Sequence, residues 1–528
     1  MKILVADKLA PAAIELLQSQ PDVEVIISDP QNFHEHLADC EGLLVRSAAK
    51  APKDVIQKAP NLRAVGRAGI GVDNIDLEAA TAAGVLVMNT PGGNSVSVAE
   101  HTLALMLSMA RSIPQANNST KSGLWEKKKF LGTELRGKTL GIVGLGSIGR
   151  EVVQRARAFE MKVVAHDPYV SPEWAADVNI ELVDMPRLLA EADYISLHVA
   201  LTPETRNMLS TEQFAQMKDG VRIVNCARGG IIDEEALLKA MESGKVAGAA
   251  LDVFAVEPPE GNPLLARDSL VATPHIGGST GEAQEIVGIR IAEQLIEYLR
   301  NGVAINAVNM PSVSPEQYRL LGPFVDLAQR LGAFAASIAP GNPKTVRLVY
   351  LGAIGENNTH LIRNGGLAGV LNRFLSQKVN VVNSMQIAKE RGLNIAERHE
   401  KRSGLTDSVR LELETDSGTT TVAGAVVLGK PRLVQVDQIY CEATLSGNLI
   451  FMKNKDVPGV IGRAGTVLGE NGINIANFSL GREESPAVPG ETLKAVAVVE
   501  TDGEASDKVL AELREIPGVL LARRVALS

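Results

Sequence analysis

Residues 139–167, with the sequence TLGIVGLGSIGREVVQRARAFEMKVVAHD, constrain the fold more than any other stretch of the chain. An apolar run leads into a glycine-rich turn, a helical pattern follows, and a second apolar run ends on Asp167. A strand, a turn, a helix and a strand in this order are typical of a dinucleotide-binding βαβ unit. A glycine-rich turn by itself can simply join a strand to a helix, so the whole arrangement is the evidence for a nucleotide site.

The three glycines of the turn have separate tasks in such a unit. Gly144 allows the tight turn, Gly146 lets a pyrophosphate approach the backbone, and Gly149 lets the helix pack closely on the strand. The N-terminus of the helix then offers unpaired N–H groups to phosphates. Asp167 stands where a carboxylate accepts hydrogen bonds from ribose hydroxyls and repels a 2′-phosphate, and Pro168 rather than an arginine follows it. The turn therefore predicts NAD as the cofactor rather than NADP.

Composition sets the class of protein and excludes several partners. A chain of 528 residues is long enough for about three or four domains. Its formal charge of −9 argues against a nucleic-acid partner and against binding to an anionic membrane surface. Three scattered cysteines without a CxxC pair indicate a reducing compartment, so we expect a cytoplasmic protein. No stretch is long and apolar enough for a membrane span, and we expect no metal site.

The first 98 residues alternate short apolar runs with helical patterns, which predicts a small parallel α/β unit. Arg46 and Arg67 follow two of the predicted strands, where ligands of open α/β sheets bind. Either arginine alone could be a solvated charge. Two arginines beside a glycine-rich turn favour an anion site.

A long helical pattern at residues 281–300 would return to this first unit and make it discontinuous. The polar, proline-containing segment 306–315 ends the Rossmann pattern, and an α+β module and a ferredoxin-like βαββαβ order follow it. We expect four domains, which are a substrate-binding domain at 1–97 and 282–310, an NAD-binding Rossmann domain at 98–281, an intervening domain at 311–450 and a regulatory domain at 451–528.

Three segments follow later strands of the Rossmann pattern and carry Arg228 (in NCARGG), Glu257 (in DVFAVEP) and His275 (in PHIGG). His275 is suited to accept the hydroxyl proton as hydride leaves the substrate carbon, because imidazole titrates near neutrality. Glu257 could orient the imidazole, and Arg228 could pair with a substrate carboxylate and polarise the developing carbonyl. Taken singly, His275 could cap a loop and Glu257 could be solvated. Behind a nucleotide site, the three together favour hydride transfer.

The motifs GLGSIG, NCARGG, DVFAVEP and PHIGG, with RAGIGVDNID upstream, resemble those of the D-isomer-specific 2-hydroxyacid dehydrogenases. The resemblance implies an α/β fold with a Rossmann-type doubly wound parallel sheet, a discontinuous flavodoxin-like substrate domain, an α+β intervening domain and a ferredoxin-like ACT domain. It implies that Arg228, Glu257 and His275 are catalytic. The implied NAD contacts are Gly144, Gly146, Ser147, Ile148, Gly149, Asp167, Cys226, Ala227, Arg228, Asp252, His275, Ile276, Gly277 and Gly278.

The central module and the C-terminal segment DVPGVIGRAGTVLGENGINIANFS resemble long-form members of this family, which oxidise D-3-phosphoglycerate to 3-phosphohydroxypyruvate at the start of L-serine synthesis. The substrate contacts implied by this resemblance are Arg46, Ser47, Arg67, Ile70, Gly71 and Asn94, with Lys127 reaching the site of a neighbouring subunit. The ACT domain would bind L-serine through Asn454, Asp456 and Asn474, and the chain would form a homotetramer. Two alternatives stay open: another D-2-hydroxyacid dehydrogenase, such as a hydroxypyruvate reductase, and a non-enzymatic NAD-sensing scaffold.

Overall fold

The computed structural model describes residues 1–400, 407–485 and 492–527, and four β-sheets organise them. The first sheet is parallel, with the strand order β2-β1-β3-β4-β5 that is typical of flavodoxin-like folds. Its elements are β1 (Lys2–Val5), α1 (Pro11–Gln18), β2 (Glu24–Ile27), a 3₁₀ segment (Phe33–Asp39), β3 (Gly42–Val45), α2 (Lys53–Gln57), β4 (Ala64–Arg67), α3 (Leu77–Ala82) and β5 (Leu86–Met88).

The second sheet is also parallel, in the order β12-β11-β10-β9-β6-β7-β8, with the glycine-rich turn following its middle strand β6. The chain order of its strands reverses at β6, which is where doubly wound sheets bind dinucleotides. Its elements are α4 (Ser95–Ala110), α5 (Ile113–Lys121), β6 (Thr139–Val143), α6 (Ser147–Ala158), β7 (Lys162–His166), α7 (Pro172–Asp177), β8 (Glu181–Leu182), α8 (Met185–Glu191), β9 (Tyr194–Leu197), α9 (Thr211–Gln216), β10 (Val221–Asn225), α10 (Glu234–Glu242), β11 (Val246–Leu251), a 3₁₀ segment (Pro263–Ala266), β12 (Leu270–Ala272) and α11 (Gly281–Asn301).

Helix α11 follows the second sheet in the chain but packs on the first. Its buried Ile291 and Leu295 share an apolar core with Ile3 and Leu44. The approach is close because β4 carries a glycine at the contact: a Cβ on Gly66 would lie 2.7 Å from Cγ1 of Ile291. The amphipathic pattern of α11 therefore matches a helix that covers the first sheet.

The third sheet is mixed, in the order β14-β13-β15-β16-β17-β18, with a parallel β13–β14 pair and antiparallel pairs elsewhere. The sequence pattern did not predict helix α14 or edge strand β14, whose sequence NIAERHE is largely polar. The elements are α12 (Pro315–Ile338), β13 (Pro343–Leu351), a 3₁₀ segment (Ala353–Glu356), α13 (His360–Phe374), α14 (Ser384–Glu390), β14 (Asn394–Glu400), β15 (Ser408–Thr415), β16 (Gly418–Val427), β17 (Lys430–Val436) and β18 (Ile439–Thr444).

The fourth sheet is antiparallel, in the order β20-β21-β19-β22, and its connections give the βαββαβ order of a ferredoxin-like unit. The fold class expected from the sequence is thereby confirmed. The elements are β19 (Gly447–Lys455), α15 (Val460–Glu470), β20 (Ile475–Arg482), β21 (Lys494–Thr501), α16 (Asp507–Glu515) and β22 (Val519–Leu527).

One apolar core is shared by the third and fourth sheets. Phe451 of β19 meets Phe334 of α12 edge to face, with ring centroids 5.8 Å apart, and Val498 and Val525 belong to the same buried cluster. Polar contacts join the same surfaces, since Arg523 donates to the carbonyl of Ala339 just after α12, at 2.9 Å. In the part of the chain that the structure describes, no helix combines the length and apolarity needed to cross a bilayer.

Candidate active site

The glycine-rich turn has the shape that a pyrophosphate requires. Gly144 has φ +97°, a conformation that L side chains rarely adopt. A Cβ on Gly149 would lie 2.1 Å from the carbonyl oxygen of Gly144, whereas a Cβ on Gly146 would meet open space. Because Gly146 caps α6 without a side chain, the first N–H groups of Ser147 and Ile148 point toward any anion placed there. The turn fits a dinucleotide.

Asp167 directly follows β7 and is hydrogen-bonded to this turn. Its Oδ2 accepts a hydrogen bond from the N–H of Leu145 at 2.8 Å, and its Oδ1 accepts one from Tyr169 at 2.9 Å. The carboxylate therefore holds the glycine-rich turn in place. Each oxygen keeps a further lone pair for a hydroxyl group.

His275 and Glu257 form a hydrogen-bonded pair on two neighbouring loops. Nδ1 of His275 lies 2.8 Å from Oε2 of Glu257, and the two side chains are 48% and 38% exposed. The carboxylate can only accept, so Nδ1 carries the proton and Nε2 is left as the acceptor of the neutral imidazole. A cavity of about 430 Å³ adjoins the pair, lined by Asp252, Phe254, Glu257, Pro258, Pro259, Leu265, Ala272, Thr273, Pro274 and His275.

Asp252 lies buried beneath the His275 loop. Its Oδ2 accepts from the N–H of Gly277 at 2.8 Å, and its Oδ1 accepts from the N–H of Ile276 at 2.9 Å and from the hydroxyl of Thr273 at 2.6 Å. His101, on α4, lies 3.3 Å from Oδ1. Burial by itself raises the pKa of Asp252, but the bonds from His101, Thr273 and the loop outweigh it and leave the pKa below its ordinary value. The carboxylate of Asp252 thus fixes the backbone conformation of the loop that carries His275.

Arg228 reaches from the second sheet to the first. Its Nε donates to Oδ2 of Asp73 at 2.9 Å, and its Nη1 donates to the carbonyl of Ala227 at 2.7 Å. A Cβ on Gly71 would lie 1.6 Å from Nη2, so the guanidinium lies against the Ile70–Gly71 turn. In the same way, a Cβ on Gly229 would lie 1.8 Å from the carbonyl oxygen of Phe254, so the Arg228 loop packs against the segment that leads to Glu257.

Arg67 is largely enclosed and joins a cluster of three guanidinium groups. The pKa of Arg67 is lowered to about 10, chiefly by burial and also by the positive charges of Arg228 and Arg46, while Asp73 and Asp7 oppose the effect. Its Nε is buried without a hydrogen-bond partner among the described residues. Concentrated positive charge with an unsatisfied donor suits an anionic ligand.

Asn94, just before α4, lies against the His275 loop. A Cβ on Gly278 would lie 2.7 Å from Nδ2 of Asn94, and Oδ1 of Asn94 is buried without a partner in the described part of the chain. The predicted substrate contact at Asn94 therefore lies beside the predicted NAD contact at Gly278.

Two supporting residues were missed by the sequence reasoning. Oδ2 of Asp7 accepts from the N–H groups of Arg46, Ala48 and Ala49 at 3.0 to 3.1 Å. Nδ2 of Asn74 donates to the carbonyls of Arg46 and Ala49 at 2.7 and 2.6 Å. Together they fix the loop that presents Arg46 and the exposed Ser47. Asp7 follows β1 just as Arg46 follows β3, so the rule that ligand loops follow parallel strands could have found it.

Two predicted contacts lie in places that limit their role within one chain. Cys226 is 7% exposed, and burial raises the pKa of its thiol to about 12, so a contact with NAD would come from its backbone. Lys127 lies on an exposed arm, where its Nζ is 5.7 Å from the centroid of the Trp125 ring. Trp125 is itself 76% exposed.

The three predicted serine ligands are not brought together in one chain. Asp456 follows β19 and pairs with Arg482, and the neighbouring Asn454 is 4% exposed. Asn474 precedes β20 at the other end of the sheet and donates to Asp502 at 2.6 Å. The registers put this end beside Asn448, so about 20 Å of strand separates Asn474 from Asn454. A single site that uses all three needs a second copy of the domain.

Comparisons with known proteins agree with this architecture. The family model for the D-isomer specific 2-hydroxyacid dehydrogenase NAD binding domain matches residues 103–277, which confirms NAD as the cofactor of the Rossmann unit. The model for the D-3-phosphoglycerate dehydrogenase intervening domain matches residues 320–437, and that for the ACT domain matches 448–518.

Relatives match over the whole chain. The D-3-phosphoglycerate dehydrogenase of Methanocaldococcus jannaschii is 43% identical, with 98% of each chain covered, and that of Bacillus subtilis is 38% identical, with 100% of this chain and 99% of the relative covered. The NAD-dependent formate dehydrogenase of Staphylococcus aureus, solved in complex with NAD, superposes with a TM-score of 0.53 at 27% identity, over 59% of this chain and all of that one. The chain therefore belongs to the D-3-phosphoglycerate dehydrogenase family of D-isomer-specific 2-hydroxyacid dehydrogenases.

Proposed function

We propose that the protein oxidises D-3-phosphoglycerate to 3-phosphohydroxypyruvate with NAD, at the first step of L-serine biosynthesis. The observation that carries this proposal is the cluster of Arg46, Arg67 and Arg228 beside the hydrogen-bonded His275–Glu257 pair. The substrate has a phosphate at one end and a carboxylate at the other. A cluster of guanidinium groups provides the bidentate donors that both anions prefer.

NAD, when bound, supplies the acceptor for the hydride that leaves C2 of the substrate. Nε2 of His275 accepts the proton of the C2 hydroxyl, because Nδ1 is engaged by Glu257. The negative charge of Glu257 orients the imidazole and stabilises the imidazolium that forms. Arg228 binds the substrate carboxylate and stabilises negative charge on the carbonyl oxygen as it develops. In the reductive direction, His275 returns the proton.

Recognition of the substrate phosphate distinguishes this assignment from other D-2-hydroxyacid dehydrogenases. Arg46 follows β3 and Arg67 ends β4, and Nε of Arg67 is buried without a partner among the described residues. A hydroxypyruvate reductase would need to recognise only the carboxylate and the carbonyl. Two arginines in addition to Arg228 therefore favour a phosphorylated acid. We assign Ser47, Ile70, Gly71 and Asn94 to the same substrate site.

The assignment of NAD contacts follows the crevice between the two parallel sheets. The pyrophosphate would lie on the turn formed by Gly144, Gly146, Ser147, Ile148 and Gly149, with the ribose at Asp167. The nicotinamide would lie near the segments that begin at Cys226, Asp252 and His275.

We also propose the four-domain division with boundaries at 97/98, 281/282, 310/311 and 450/451. In this division α11 belongs with the first sheet, on which it packs.

Regulation and assembly extend the proposal. L-serine would bind between two ACT domains, with Asn454 and Asp456 from one copy and Asn474 from another. The exposed arm that carries Lys127 and Trp125 would contact a neighbouring subunit, and the two interfaces together would build a homotetramer. The three cysteines are all free and buried, in keeping with a reducing, cytoplasmic location.

The decisive experiment follows NADH oxidation optically with 3-phosphohydroxypyruvate and hydroxypyruvate side by side, each with and without L-serine. We expect a strong preference for the phosphorylated acid and a loss of rate in serine. A preference for hydroxypyruvate would overturn the substrate assignment, and indifference to serine would overturn the regulatory one. An inactive protein that still binds NADH would favour the scaffold alternative.

A further inference from the structure

The ion pair between Asp73 and Arg228 joins the two parallel sheets across the substrate crevice. Asp73 lies on the loop after β4 of the first sheet, and Arg228 lies on the loop after β10 of the second. The Asp73 side chain is 65% exposed, whereas that of Arg228 is 27% exposed. An ion pair this open to solvent contributes little to the stability of the fold. Fold stability is therefore a weak reason for placing a carboxylate there.

The contact leaves Arg228 with little freedom. Asp73 holds Nε, the carbonyl of Ala227 holds Nη1, and Nη2 lies against Gly71. The main chain is held too, because Asn225 donates from Nδ2 to the carbonyl of Arg228 at 2.9 Å. A guanidinium fixed through Nε and one terminal nitrogen still presents N–H groups to a bidentate anion.

The charge of Asp73 is unusual for its position. The positive charges of Arg228 and Arg46 add to the effect of burial in lowering the pKa of Arg67, so the three cations are close enough to interact. The other nearby carboxylate, Asp7, is occupied by the backbone of the Arg46 loop. Asp73 is thus the group that compensates Arg228 directly. A carboxylate beside the substrate crevice also repels an anionic substrate. Its presence there is therefore explained better by a functional role than by stability.

We propose that Asp73 is a positioning residue that fixes the guanidinium of Arg228 for the substrate carboxylate and thereby holds the Gly71 turn against the cofactor-binding unit. The proposal rests on the assignment of Arg228 under the proposed function. It predicts that Asp73 acts on a feature common to both candidate substrates, the carboxylate, and leaves the phosphate end untouched.

The test compares Asp73→Ala and Asp73→Asn with a matched control, Asp219→Asn. Asp219 is also an exposed aspartate in an ion pair, 2.8 Å from Nζ of Lys245, but it lies outside the site. We expect Asp73→Ala to lower kcat about 30-fold with both 3-phosphohydroxypyruvate and hydroxypyruvate, since a misplacement of about 1 Å costs up to about 100-fold. Asp73→Asn keeps an acceptor for Nε and should recover part of the loss. Asp219→Asn should match the parent protein.

A double-mutant cycle with Arg228→Lys separates positioning from a general loss of structure. If Asp73 acts by orienting the guanidinium of Arg228, Asp73→Ala should change kcat less than about twofold when Arg228 has been replaced by lysine. Affinity for NADH, measured by fluorescence, should stay within about twofold of the parent. An unchanged kcat in Asp73→Ala, additive effects in the cycle, or a loss confined to the phosphorylated acid would each overturn the proposal. If the parent instead prefers hydroxypyruvate, the substrate assignment fails, but the cycle is still decided on hydroxypyruvate.

Discussion

Nδ1 of His275 and Oε2 of Glu257 lie 2.8 Å apart at the edge of the cavity, and this pair gives the first prediction. General acid–base catalysis contributes about 10²- to 10⁴-fold, so His275→Ala should lower kcat by that range while NADH affinity stays near that of the parent. Glu257→Gln should cause a smaller loss, because the imidazole remains. Steady-state kinetics and NADH fluorescence titration would measure both. The control is His36→Ala, because His36 is an exposed histidine. A normal kcat in His275→Ala would show that His275 is not the general base.

Arg46 should distinguish the phosphorylated acid from its unphosphorylated analogue. A hydrogen bond to a charged group contributes about 1.5 to 3 kcal/mol, so Arg46→Ala should raise the KM for 3-phosphohydroxypyruvate about 10- to 100-fold. The KM for hydroxypyruvate should change far less. Initial-rate measurements on both acids, with the nearby exposed Lys50→Ala as control, would test this. Equal increases in the two KM values would place Arg46 away from the phosphate.

Asp167 should set the preference for NADH over NADPH. Its carboxylate repels a 2′-phosphate, so Asp167→Asn should shift the ratio of kcat/KM values toward NADPH by about tenfold or more. Part of the shift should be a loss with NADH, because Asp167 also holds the N–H of Leu145 in the glycine-rich turn. Kinetics with the two nucleotides would measure the ratio. An unchanged ratio would show that another group excludes the 2′-phosphate.

His198 should make the fold sensitive to acid. Burial lowers the pKa of His198 to about 4, and its Nδ1 is buried without a partner among the described residues. The unfolded chain, with an ordinary pKa near 6.5, takes up the proton first as the pH falls, so stability is lost between about pH 6.5 and pH 4. At pH 5 the loss is about 2 kcal/mol. The fall in Tm from pH 7 to pH 5 should therefore be smaller in His198→Asn, and an equal fall in both proteins would assign the sensitivity elsewhere.

The cysteines should be unreactive while the protein is folded. Burial raises the pKa of Cys226 to about 12 and that of Cys441 to about 11, and it also raises the pKa of Cys40. The thiolate is the reactive form, so little of it exists at pH 8. Titration with a chromogenic disulfide should show no rapid reaction in the folded protein and three thiols after denaturation. A rapidly reacting thiol in the folded protein would contradict this.

Local patterns were enough to predict most of the fold. The glycine-rich turn with its flanking strands identified the second sheet, and the alternation of strands and helices identified the first and fourth. The return of α11 was anticipated because the chain begins in the first unit, so a long helix after the Rossmann pattern would most simply return to it. Helix α14 and strand β14 were missed because their short, largely polar sequences have no clear period.

The sequence predicted candidate site residues and one of their contacts, the pairing of Glu257 with the imidazole of His275. His275, Glu257 and Arg228 were proposed because each follows a strand of the Rossmann pattern. The contacts of Asp252 beneath the His275 loop, of Asp7 beneath the Arg46 loop and of Asp73 with Arg228 join residues far apart in the chain. The strand-end rule brings the loops of one sheet together, but it does not say which side chain hydrogen-bonds to which loop. The contact of Asp73 with Arg228 depends in addition on how the two parallel sheets meet, which sequence spacing does not give.

The apolar core common to the third and fourth sheets limits how the part of the chain from α12 onward can be altered. Removing the residues after Leu445 would uncover the face of α12 that carries Phe334, together with the carbonyls that Arg523 satisfies. A shortened protein would thus expose an apolar surface that promotes aggregation, and it would leave two carbonyl acceptors without their partner. Such a protein would be destabilised as well as freed from regulation. In engineered chimaeras, the two C-terminal units are best replaced together by those of a relative, with the junction placed before α12.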